Sequence, residues 1–118
     1  MDTIKVSANS RTSAVAGAIA GVVREHHRAV VQAIGAGAVN QAVKALVLAT
    51  GYLQNDGIHV TCVPEFADVT IEDKVRTAIK LVVEPSANSD FSAIRFSTRA
   101  HSDRANPAPV YEQTQAAV

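Results

Sequence analysis

At 118 residues the chain has the length of one ordinary domain with one core. Hydrophobic residues make up 47% and charged residues 19%, which excludes a disordered chain. Eleven basic side chains cancel eleven acidic ones, so bulk charge does not argue for nucleic acid, and one cysteine excludes an internal disulfide.

The first predicted element is a strand over residues 3–7, with β-branched Ile4 and Val6 on one face and Lys5 on the other. Capping residues between positions 10 and 13 then open a helix that runs to about His26. Val15, Ile19, Val22 and Val23 form its apolar stripe, and Arg24, His26 and Arg28 complement the dipole at its C-terminal end. Residues 30–34 read as a short, mostly buried strand that Gly35-Ala36-Gly37 breaks. A second helix is predicted over residues 38–53, with Val39, Val43, Leu46 and Leu53 as its core stripe. Ala45, Leu48 and Tyr52 form a second stripe nearly opposite, which is the expected oligomer interface.

Asn55-Asp56-Gly57 signals a turn, and strands are predicted over residues 58–66 and 74–84, joined by a polar stretch over 67–73. On the last strand Ile79, Leu81 and Val83 share one face, while Ala78, Lys80, Val82 and Glu84 share a half-wet one. The order strand, helix, strand, helix, strand, strand, with right-handed crossovers, predicts a four-stranded mixed sheet with both helices on one face. That is a two-layer α/β sandwich over residues 1–85. Residues 86–118 turn polar and proline-bearing, and predict an extension, partly flexible or docked on the core or a partner through Phe91, Ile94 and Phe96.

Candidate chemistry is sparse. Gly35-Ala36-Gly37 follows a strand and opens a helix, the context of a phosphate-facing turn. Asn40 replaces the third glycine of the dinucleotide fingerprint, and no Gly-Lys-Ser/Thr follows, so a tight turn with close packing of helix on sheet accounts for the motif better than a nucleotide does. Gly17 and Gly21, four apart on the first helix with Ala14, Ala16, Ala18 and Ala20 between and around them, suggest a smooth surface for close packing. His59 and Cys62 sit three apart on one strand and therefore point to opposite faces, which argues against a catalytic pair. Neighbouring His26 and His27 diverge by about 100° on a helix, so they do not suggest a metal site. No paired carboxylates and no Ser-His-Asp spacing stand out, so no enzyme, no cofactor and no metal is expected. The longest near-apolar run, residues 14–23, is about half a membrane span, and the start lacks a secretory pattern, so a cytoplasmic protein without a membrane partner is expected.

Read together, Lys5-Val6-Ser7, the run Val15-Ala16-Gly17-Ala18-Ile19-Ala20-Gly21 and the block from Gln32 through Gly35-Ala36-Gly37 to Ala45 resemble the stage V sporulation protein S family. Pro64, Phe66 and Arg76-Thr77-Ala78-Ile79-Lys80-Leu81 extend the likeness, which covers residues 2–85. The family is similar in fold to Alba, the small dimeric chromatin and RNA-binding proteins. The resemblance implies an Alba-like homodimer or higher oligomer, and a nucleic-acid-binding regulatory role linked to sporulation or developmental gene expression. Such a role would associate the protein with the nucleoid.

Two departures from Alba bear on that role. Where Alba proteins typically carry basic side chains around the second helix's first turn, this chain has Gly37, Asn40 and Gln41. Its arm between the last strands is acidic, with Asp68, Glu72 and Asp73. The remaining candidate nucleic-acid residues are Lys5, Arg11, Asn40, Gln41, Lys44, Arg76 and Lys80, with the first loop and second helix as the expected face. Few charges imply weak, salt-sensitive binding to DNA or RNA. Two alternatives stay open: an assembly module that has lost the nucleic-acid surface, and a small-ligand sensor using the turn from Gly35 to Asn40.

Overall fold

A computed structural model describes residues 3–87. The element order is β1 (Ile4–Val6), α1 (Thr12–His26), β2 (Ala29–Ala33), α2 (Ala36–Asn55), β3 (Val60–Ile71) and β4 (Lys74–Pro85). The sheet runs β1-β2-β4-β3, with β1 and β2 parallel and the other two pairings antiparallel. This is the expected mixed sheet and two-layer sandwich. From residue 88 onward the predicted extension, including Phe91, Ile94 and Phe96, lies outside the described residues.

The first helix buries Val15, Ala16, Ile19, Ala20 and Val23, an apolar stripe at helical spacing. It stops at His27, whose left-handed φ of 59° turns the chain while its N–H donates to the Val23 carbonyl at 2.8 Å. Gly17 and Gly21 are exposed, and a Cβ at either would meet nothing within 4 Å. Of the small residues in this run, Ala16 and Ala20 are fully buried and form the packed surface, while the two glycines with Ala14 and Ala18 face outward. Replacing both glycines by alanine should therefore raise stability by about 1–2 kcal/mol, because each interior helical glycine costs roughly 0.5–1 kcal/mol. A thermal melt several degrees higher than that of the unmutated chain is the expected reading.

The core stripe of α2 also differs from expectation. Its buried residues are Ala38, Ala42, Ala45, Ala49 and Leu53, while Val39 and Leu46 lie at the core margin and Val43 is 45% exposed. Alanines let the helix axis come close to α1 and the sheet, so the small residues occupy the inner face and the valines are turned outward. Ala45 is fully buried and is removed from the proposed oligomer interface; Leu48 and Tyr52, each 39% exposed, remain on the surface. At 100° per residue, Val43 and Val47 occupy a second exposed flank roughly 140° from Leu48 and Tyr52.

The helix ends in the expected turn, where the N–H groups of Asp56 and Ile58 both donate to the Leu53 carbonyl at 2.9 Å. Asp56 also receives the Arg24 guanidinium at 2.6 Å, joining the exit of α2 to the last turn of α1.

Residues 67–73 are not a polar loop. β3 and β4 pair without interruption from Val60↔Pro85 to Ile71↔Lys74, closed by Glu72 and Asp73 with φ of 51° and 64°. Two positive φ values match the primed turns that follow the natural strand twist. Asp68 and Thr70 are exposed and alternate with half-buried Ala67 and Val69, the pattern of a strand covered on one face only. β3 forms one edge of the sheet and carries Pro64, which an edge strand accommodates with its nitrogen turned away from the ladder.

Ile79, Leu81 and Val83 face the core as expected. Their neighbours Ala78 and Val82 are also buried, so that face is less wet than the alternation suggests. Val82 lies between Val30 and Val63 in register, and the arm's residues Val69 and Thr70 approach Gln32 and Ile34 across this face.

Cys62 packs at the margin of the core, half-buried, and burial pushes its thiol up from the ordinary value. Little thiolate is available near neutral pH, so alkylation of the native protein should be slow, and unfolding should make it fast. Following thiol labelling by mass at pH 7, with and without denaturant, checks this.

Candidate nucleic-acid interface

The turn before α2 is explained by two local constraints. Gly35 has φ of 91°, a conformation that side-chain-bearing residues rarely adopt. Gly37 lies against the β1–α1 loop so closely that a Cβ there would stand 2.9 Å from the Cβ of Ala8. Gly35, Ala36 and Gly37 are all exposed, and α2 begins with neither a side-chain cap nor an acidic residue in its first turn. Its leading N–H groups therefore present an uncompensated partial positive charge.

The loop facing this helix is held in shape by its own polar groups. Ser7 N–H donates to Ser10 Oγ at 2.9 Å and Asn9 N–H to Ser7 Oγ at 3.2 Å. Gln41 then donates its side-chain amide to the Ser10 carbonyl at 2.7 Å, tying α2 to the loop. Arg11, the residue after Ser10, is the N-cap residue of α1 and is exposed. Asn40 and Lys44 are exposed one turn apart on α2, on either side of Gln41 in sequence. The tether sets the loop that carries Arg11 against the stretch of α2 that carries Asn40 and Lys44, and Gln41 is occupied as the fastener.

Lys5, Arg76 and Lys80 are elsewhere. Strand parity turns all three to the sheet face opposite the helices, since Val6, Ile79 and Leu81 face the core. Register aligns Lys5 with Gln32, Gln32 with Lys80, and Lys80 with Glu65, making one polar row across the sheet. The seven candidate residues therefore form two groups on opposite sides of the sandwich. Among the described residues the ion pair within 4 Å joins Arg24 and Asp56, so none of the five candidate cations is paired. Gln32, hidden in a strand that read as mostly buried, is the residue that sequence reasoning missed. Its alternation with Val31 and Ala33 was the available signal.

Among the described residues no group of three His, Cys, Asp or Glu side chains could hold a metal. No described helix is long and apolar enough to cross a membrane.

A two-layer β-α-β-α-β-β sandwich defines a small α/β protein. A family model described as Stage V sporulation protein S (SpoVS) matches residues 2–86. The chain belongs to that family, and is a sporulation-related protein.

Proposed function

We propose that this protein is a non-enzymatic nucleic-acid-binding regulator that acts as a homo-oligomer in the cytoplasm, at the nucleoid. The observation that supports this best is the bond from Gln41 to the Ser10 carbonyl, which sets the loop that carries Arg11 against the stretch of α2 that carries Asn40 and Lys44. Cations, an uncharged amide and free backbone donors together suit phosphate and sugar contacts, which position a nucleic acid without reading its sequence. Self-association would set two such surfaces on one assembly and raise the number of phosphate contacts. No cofactor or metal is required for such binding.

Titration of duplex DNA and of RNA at two salt concentrations tests the reading. Binding should be on the order of micromolar at physiological salt, weakening with a log–log slope of about −2 per protomer for two contacted phosphates. No binding to either polymer at low salt would refute it.

One observation favours the second reading, an assembly module. Phe66 is 81% exposed beside a shallow notch of about 230 Å³ lined by Pro64, Glu65 and Ile79. Large exposed apolar residues on the arm suit a protein partner better than a phosphate backbone.

A further inference from the structure

The sheet face opposite the helices carries a cleft whose rim reaches the β1–α1 loop at Ser7 and Ala8. Its volume is about 380 Å³, within the roughly 300–1,000 Å³ typical of ligand sites. Lys5 and Gln32 line it from the sheet, Ile34 from the turn after β2, and Val69 and Ile71 from the arm. Lys5 has no carboxylate within 4 Å among the described residues. Gln32 is half-buried, and its amide is left without a partner among the described residues.

A simple anion would need only the lysine. The cleft also offers branched apolar walls on two sides and an amide that both donates and accepts, the combination that recognises a base edge. Flat rings are held between apolar side chains when a base leaves its stack. Adjacent strands lie about 4.8 Å apart, so Lys5 and Lys80, two strands apart in one row, are rooted roughly 10 Å from each other. That leaves a second cation beside the cleft for a neighbouring phosphate.

We propose that this cleft holds one unpaired nucleotide, its base between Ile34 and the arm residues Val69 and Ile71, its edge on Gln32 and its phosphate on Lys5. The inference rests on the nucleic-acid reading above and extends it to single strands, whose bases are free to enter a pocket. A glutamine amide pairs best with adenine, which makes adenosine 5′-monophosphate the probe.

The full chain is titrated with adenosine 5′-monophosphate, adenosine and inorganic phosphate, followed by amide shifts in two-dimensional NMR. The nucleotide should saturate shifts of the cleft residues with a Kd on the order of a millimolar or tighter. Adenosine and phosphate should each bind more weakly. Lys5→Ala and Gln32→Thr should each weaken the nucleotide about tenfold at unchanged melting temperature. Arg11→Glu with Lys44→Glu should leave it unchanged. Phosphate binding as well as the nucleotide, or a nucleotide affinity indifferent to Lys5→Ala and Gln32→Thr, would overturn the cleft. Nucleotide binding by a chain that binds no oligonucleotide would sustain the cleft and sink the surface reading. Oligonucleotide binding without nucleotide binding would sink the cleft alone.

Discussion

Replacing Arg11 and Lys44 together by glutamate is expected to reduce nucleic-acid affinity on the order of a hundredfold or more, below ordinary detection. Both side chains are exposed and make no described ion pair, so reversing them removes no internal contact. The change does more than delete two phosphate contacts: it sets two carboxylates where the phosphates would lie, and like charges repel. Circular dichroism and the melting temperature should match the unmutated chain. The residual salt slope is informative too, since binding that keeps its slope after the reversal would place the contacts on another surface. A separate Gln41→Ala replacement acts differently, because it frees the loop rather than removing a contact. It should weaken binding only several-fold, by letting the loop that carries Arg11 drift from α2.

The second large effect is expected from Leu48→Asp. Leu48 and Tyr52 share one flank of α2, Val43 and Val47 another, and each of the four is between 39% and 47% exposed. A stable dimer buries about 800 Å² per partner, and these flanks supply apolar residues for its centre. An unpaired carboxylate in such a centre costs roughly 3–5 kcal/mol. In a two-fold contact the substitution enters twice, so dissociation should be strong. Light scattering should show an oligomer for the unmutated chain at micromolar concentration and a monomer for the variant. A monomeric unmutated chain would retire the self-association proposal, and an unaffected variant would move the contact to the flank of Val43 and Val47.

The element order was legible because its two periodicities are clear: Ile4 and Val6 alternate, while Val15, Ile19 and Val23 recur every four residues. α2 misled because it is apolar around most of its circumference. Hydrophobicity alone favours valine and leucine for the inside, whereas the closest backbone approach selects alanine, as at Ala42 and Ala49. The arm misled for the opposite reason: a strand half-buried on one face only, at Ala67 and Val69, carries a weak burial signal, so Asp68 and Thr70 resemble loop residues. The face of the first loop and α2 was expected, but its fastener was not, because a side-chain bond to the Ser10 carbonyl depends on loop conformation. Nor does the sequence display the row from Lys5 through Gln32 to Lys80, since it exists only once three strands are in register.

Pro64 on the outer edge of β3 limits what kind of complex this protein can build. A strand with every outward N–H available would recruit another copy edge to edge, and that copy another, without a natural end. The proline removes a donor from the middle of that edge, and at the other edge β1 is only three residues long. Growth by strand addition is therefore blunted in both directions, leaving side-chain surfaces to bring copies together, and where such a contact is two-fold it closes into an assembly of fixed number. On a long nucleic acid this predicts separate particles at countable stoichiometry, with bare polymer between them, rather than a continuous filament.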